Sequence, residues 1–285
     1  MATRTIDIHP HVISRDDARY PRSPLFGVQS DWSRERPVTI EDMIAAMDEA
    51  GVEKSAIVQA STCYGHDNSY LADSIAKHKD RLTGVCSVDI RTPDAVEKLK
   101  FWQERGMTGV RLFTGGSTAA MDAGWIDEPS TFPAWDYAGQ TGMSVCLQMS
   151  SAGFSRALGI LRQFPKVKLL LDHLARPEIT DGPPYEAAKP LFALAPFGNI
   201  YLKVTPRTFT QVREGKASPE SFFKKLVGEF GASRIAWGSN YPASPGPLSK
   251  LLATAREALA SVPSKDQEWI FARTAQSIYP ALADK

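Results

Sequence analysis

A distorted (β/α)8 barrel with a C-terminal helical extension is the fold class this sequence predicts, and three observations predict it. Eight short β-branched runs alternate with longer stretches of helical period. The 285 residues suit a barrel. No glycine-rich phosphate loop follows the first run, as it would in a doubly wound open sheet.

The strand candidates are TIDI (5–8), KSAIVQ (54–59), LTGVCSV (82–88), TGVRLF (108–113), SVCLQ (144–148), KLLLD (168–172), IYLKV (200–204) and RIAW (234–237). Helices are expected over 40–50, 69–79, 94–105, 132–141, 154–163, 185–194, 219–230 and 248–261. Gly51, Gly106, Gly142 and Gly231 fall where a left-handed residue ends a helix, and Thr39, Thr131 and Ser218 fall where a side chain caps one. The tail after Ser261 has Trp269, Ile270, Phe271 and Ile278 at helical spacing, so it is expected to pack on the barrel. With no linker, repeat or low-complexity tract, one domain spanning 1–285 is expected.

Composition narrows the function classes. The net charge is +1, from 33 basic and 32 acidic residues, which gives no electrostatic case for nucleic acid or an anionic membrane surface. The three cysteines, Cys63, Cys86 and Cys146, sit in apolar runs and read as buried thiols rather than as disulfides or a thiolate zinc site. No apolar h-region opens the chain and no run is long enough to span a bilayer, so a cytoplasmic protein is expected. A homo-oligomer is compatible with all of this.

On a barrel, residues that close the strands converge on one pocket. Here they are His9 and His11 after strand one, Ser61 and Thr62 after two, Asp89 after three, Arg111 in four, Gln148 in five, Asp172 and His173 after six, Lys203, Thr205 and Arg207 around seven, and Asn240 after eight. Residues two apart in an extended strand point the same way, so His9 and His11 can hold one metal ion or one polar substrate group. Taken singly, His173 would be a structural histidine beside Asp172; three histidines at strand ends favour a site. Arg111, Arg176, Arg207 and Lys203 form a second constellation suited to a small carboxylate-bearing anion. Residues 14–37, rich in proline, arginine and aromatics, form a long loop expected over the carboxyl ends of the strands, either functional or simply covering the mouth.

The ordered segments IDIHPH, IVQASTCYGHDN, GMTGVRLF, LLLDHLARP, YLKVTPR and WGSNYP, spread over nearly the whole chain, resemble the amidohydrolase superfamily. Within it they resemble the amidohydrolase-2 group, which includes 2-pyrone-4,6-dicarboxylate lactonase and related sugar lactonases. The resemblance implies a hydrolase that opens a small anionic cyclic ester or amide by water attack. His9, His11, His173 and Asn240 then fill the catalytic core, and Ser61, Asn68, Arg111, Gln148, Arg176, Lys203 and Arg207 contact substrate. It also implies that either no cofactor is needed, or one divalent cation, zinc or manganese, is held by His9, His11 and His173.

Two positions depart from the pattern. Gln148 stands where many metal-dependent members have a histidine, which speaks against a binuclear site. Asn240 stands where the group has an aspartate base, and an amide takes up no proton at neutral pH. Three readings remain open: His173, His9 or His11 is the base; the chain is an inactivated form; or it is a small-acid binder. A metal-dependent decarboxylase or hydro-lyase acting on an unsaturated or aromatic acid is the alternative enzyme class.

Overall fold

The computed structural model describes residues 4–284; residues 1–3 and 285, at the ends of the expected span, lie outside the described residues. Eight parallel strands follow one another in sequence order: β1 (Ile6–Asp7), β2 (Lys54–Val58), β3 (Leu82–Ser87), β4 (Met107–Phe113), β5 (Ser144–Gln148), β6 (Leu169–Leu171), β7 (Ile200–Val204) and β8 (Ile235–Trp237). Ile8 N donates to Trp237 O at 3.3 Å, and Ser239 N to the Asp7 carboxylate at 2.9 Å. These bonds bring the first and last strands together in a nearly closed barrel with helices between the strands.

Strand periodicity sorts the side chains. Ile6, Ile8, Ala56, Val58, Val85, Cys146, Leu170 and Ala236 form the core inside the barrel, and Ala272, Ala275, Ile278, Tyr279 and Leu282 of the C-terminal segment pack against it. The tail therefore closes one end of the barrel, as its apolar spacing predicts, through Ser264–Glu268, a wider π turn over Trp269–Arg273, and Thr274–Ile278. A much larger second core lies outside the barrel, where the helices pack on the other faces of the strands.

Most helices stand where expected, with ends trimmed. Thr39 and Asp42 form a reciprocal capping box at the start of Ile40–Ala50, and Gly51 ends that helix at φ 70°. The Ser218 hydroxyl accepts from Ser221 N at the start of Pro219–Phe230. Thr131 is no cap: its hydroxyl donates to the carbonyls of Ile126 and Glu128 because a 3-10 turn, Pro129–Thr131, precedes Phe132–Thr141.

The helix expected over 185–194 shrinks to Lys189–Phe192, with Tyr185 in the left-handed region at φ 64°. Pro190 explains this, because its ring would collide with a preceding helical turn and is tolerated only at the start of a helix. Three α-helical pieces, Asp31–Glu35 in the long first loop, Ser61–Tyr64 after β2 and Pro206–Gln211 after β7, have no counterpart in the sequence reading.

Candidate active site

The long first loop lies at the mouth of the barrel. Arg22 donates to Ser14 O and to the Tyr64 hydroxyl, both at 2.7 Å, and Arg36 donates to the carbonyls of Pro242 and Ala243 beyond β8 at 3.2 and 3.3 Å. Trp32 of this loop lies over His11, ring centroids 5.2 Å apart. Beneath it is a cavity of about 200 Å³ lined by Trp32, His11, Ser61, Thr62, Arg111, Phe113, Gln148, His173, Arg176, Asn240 and Ala243, among others. Eight of the sequence candidates thus share one cavity.

The floor is built from charge. By strand parity Arg111, Lys203 and Asp172 point inward, and Asp172, fully buried, accepts from Arg111 Nε at 2.9 Å and pairs with Lys203 Nζ at 3.0 Å. Burial alone would raise the Asp172 carboxyl, but Lys203 and Arg111 outweigh it and hold it at about 2. Burial likewise opposes the Lys203 charge, and Asp172 more than restores it, leaving the ammonium above its ordinary range. Lys203 Nζ also lies 3.3 Å from His9 Nδ1.

Three imidazoles pack above this pair. His9 meets His11 edge to face at 5.1 Å and His173 at 4.9 Å between centroids. β1 ends at Asp7, so the two histidines of the HxH pair stand on irregular backbone rather than on an extended strand. Asp7 holds that backbone, accepting from His9 N at 3.0 Å and Ser239 N at 2.9 Å. Burial raises the Asp7 carboxyl to about 6.

Burial, then Arg111, lowers His11 to about 3; burial also takes His173 to about 3 against the pull of Asp172; burial and Lys203 take His9 well below its ordinary value. All three are neutral at pH 7. Gly238 makes room for this group, because a Cβ there would stand 2.5 Å from His9 Cβ.

After Asp172 the backbone enters the left-handed region for four consecutive non-glycine residues, His173, Leu174, Ala175 and Arg176, at φ 54–56°. Each costs about 1–2 kcal/mol, a strain typical of functional sites. The turn is held by Thr205 Oγ1 on His173 Nδ1 at 2.8 Å and by Gln211 Nε2 donating to Pro177 O at 2.8 Å. Its effect is to bring His173 and Arg176 to the same cavity. Arg176 Nε is buried without a partner among the described residues, and burial, Arg207 and Arg111 lower its affinity for its proton.

Four candidates are placed differently from the sequence reading. Asn68 is fully buried and spent on backbone, bridging His66 O, Ser87 O and Ser87 N at 2.7–3.0 Å. Lys203 is also fully buried and bound to Asp172, beneath the cavity rather than lining it. Arg207 is exposed and lines a neighbouring cavity of about 730 Å³, because the helix Pro206–Gln211 begins immediately after Thr205 and turns it outward. Asp89 pairs with Arg91 at 2.7 Å outside the cavity. Asn240 does face the cavity, at φ 52°, with its amide nitrogen donating to Ser244 Oγ at 3.0 Å.

Asp7, Trp32 and Phe113 are the additions. Asp7 had a signal in the alternation of Asp7, His9 and His11; Phe113 shares the parity of Arg111; Trp32 is one aromatic in a long loop and had none.

A divalent cation here would meet positive charge. Two buried cations, Arg111 and Lys203, flank the imidazoles, and Asp172, the carboxylate beside them, is engaged by both. Gln148 and Asn240 bring only neutral amides. Among the described residues no group of three or more His, Cys, Asp or Glu side chains is arranged to hold a metal ion.

A parallel barrel whose strand ends gather neutral imidazoles and guanidinium groups in one cavity has the architecture of a barrel hydrolase. The chain belongs to the Amidohydro_2 family of amidohydrolases, which it matches over residues 6–281. It is 24% identical over 246 residues, 85% of this chain and 81% of the relative, to an L-fucono-1,5-lactonase of Burkholderia ambifaria.

Solved structures share the fold. A 2-pyrone-4,6-dicarboxylic acid hydrolase, so described provisionally, from Pseudomonas putida superposes at TM-score 0.78 with 20% identity over 100% of both chains. An amidohydrolase from Burkholderia multivorans with bound zinc gives 0.77 at 16% identity, over 97% of this chain and 99% of that one. A dihydroxybenzoic acid decarboxylase from a Polaromonas species with bound manganese gives 0.67 at 17%, over 99% and 98%. Divalent cations are thus found on this fold. No helix of the described residues is long and apolar enough to cross a membrane.

Proposed function

We propose that this chain is a hydrolase that opens a small lactone carrying a carboxylate, without a metal cofactor. The carrying observation is Arg176, with a buried and unpartnered Nε, set in one cavity with two imidazoles held neutral. A guanidinium in that position binds a carboxylate by charge-assisted hydrogen bonds, and neutral imidazoles either donate to a carbonyl oxygen or accept from water. The lactonase relative and the pyrone hydrolase on the same fold support this reading.

The substrate carboxylate sits on Arg176, with Arg111 adding positive potential from the floor. Trp32 covers the ring and limits access of bulk water. One imidazole donates to the acyl oxygen, and another takes a proton from the attacking water. Hydroxide adds to the acyl carbon, the ring C–O bond breaks, and the proton passes to the leaving oxygen, giving a hydroxy acid. Asn240 shapes the wall and takes no proton. The charge arrangement at the floor weighs against the metal-dependent decarboxylase alternative.

The purified chain is incubated with six- and five-membered lactones, with and without ring carboxylates, and acid release is followed by pH-stat. Turnover of carboxylated lactones above uncarboxylated ones is expected. If neither the chain nor its Asn240→Asp variant opens any lactone, the reading is wrong.

A further inference from the structure

The histidines of the HxH pair are not equivalent, and their hydrogen bonds say how they differ. His11 Nδ1 lies 2.8 Å from the carbonyl oxygen of Val58. A carbonyl only accepts, so His11 carries its proton on Nδ1 and its Nε2 holds a bare lone pair. His9 Nδ1 lies 3.3 Å from Lys203 Nζ. That ammonium is fixed by its 3.0 Å pairing with buried Asp172, and an ammonium only donates. His9 Nδ1 therefore accepts. The alternative, a His9 Nδ1–H donating to Asp172 Oδ1, would have to span 3.6 Å, beyond a hydrogen bond.

With its lone pair on Nδ1, His9 carries its proton on Nε2, a fully buried atom with no partner among the described residues. A buried N–H without an acceptor is costly unless a ligand supplies one.

We infer that the pair is split into a donor and an acceptor: His11 Nε2, at the cavity, is the acceptor that takes the proton of the attacking water, and His9 Nε2–H is a donor buried behind it. Val58 and Lys203 are the positioning residues that fix the two tautomers. His11 lines the cavity, beside Trp32, and His9 packs behind it against both His11 and His173. The proton removed from water resides on His11 Nε2 until it passes to the leaving ring oxygen, so atoms and charge balance without another reactant. The arrangement makes a carboxylate at position 240 unnecessary. The catalytic half rests on the lactonase reading; the tautomers do not.

The experiment has two arms on the full chain. Histidine labelled with nitrogen-15 is incorporated, and long-range proton–nitrogen correlation spectra are recorded at pH 7.5, with His9→Gln and His11→Gln variants giving assignments. One Nε2–H ring, His9, and one Nδ1–H ring, His11, are expected; the same tautomer in both, or the reverse pair, overturns the proposal.

In the second arm, His11→Gln lowers kcat at least 100-fold on a lactone that the unaltered chain opens, because an amide oxygen orients water but takes no proton. Adding Asn240→Asp restores at least tenfold. Rescue by a carboxylate at position 240, which lines the same cavity, is not expected of a merely structural His11. Loss without rescue, or no loss, overturns the base assignment, while failure of the unaltered chain on every lactone refutes the proposed function and leaves the tautomer result standing.

Discussion

Lowering the pH from 7 to 5 should weaken the fold by about 3 kcal/mol or more, and the buried histidines are the reason. His9, His11 and His173 are held neutral, with folded values of about 3 for the latter two against an ordinary 6.5 and His9 also well below it. A histidine whose folded value is depressed contributes stability that is present above pH 6.5 and lost as pH falls from there toward 3, because the unfolded chain takes up the proton first. By pH 5 His11 and His173 have each cost about 2 kcal/mol, at about 1.4 kcal/mol per unit, and His9 acts in the same direction.

Asp7 works the other way: with its folded value raised to about 6, it favours the native state as pH falls through 6, offsetting about 1 kcal/mol. Asp172, held at about 2, contributes fully until below about pH 4 and is then lost toward 2, so it does not enter this window. Urea unfolding at the two pH values measures the difference. A His173→Asn variant, whose side chain tolerates the left-handed backbone at 173, should lose about 2 kcal/mol less on acidification. A drop below 1 kcal/mol in the unaltered chain would refute the claim that the imidazoles are buried and neutral.

Arg176→Met should lower kcat/KM on a carboxylated lactone about 10- to 100-fold, mainly through KM, by removing charge-assisted hydrogen bonds to the carboxylate; an uncarboxylated lactone should be unaffected. Gly238→Ala puts a methyl group 2.5 Å from the buried His9 Cβ, so at least a tenfold loss of kcat and a lower melting temperature are expected in steady-state and thermal assays. Dialysis against a strong chelator should leave kcat within twofold, and loss restored by zinc or manganese would contradict the charge argument at the floor.

The barrel was legible in the sequence because apolar runs and helical stretches alternate strictly enough for each strand to announce itself. Where local chemistry overrode periodicity, legibility failed. The apolar spacing of 185–194 reads as a helix, but Pro190 forbids the first half of it.

The site was legible as a set of strand ends, and strand parity carried Arg111 and Gln148 to the cavity. Arg207 lay beyond its reach because the chain changes period from two to 3.6 immediately after Thr205. Asn68 has the composition of a ligand binder and is consumed by backbone groups of its own neighbourhood. Nothing in DHLARP betrays four left-handed residues, since the run contains no glycine; only the tertiary contacts of Asp172, His173 and Pro177 impose them.

The stopper formed by Ala272, Ala275, Ile278, Tyr279 and Leu282 has a temporal meaning. Every residue of the cavity emerges from the ribosome before it, yet the barrel interior stays open to water until those late residues arrive. Until then Ile6 and Ile8, made before the other strands, have no floor against which to settle. Assembly of the catalytic mouth thus waits on the opposite end of the molecule, and a nascent chain halted short of residue 272 should engage chaperones rather than ligand.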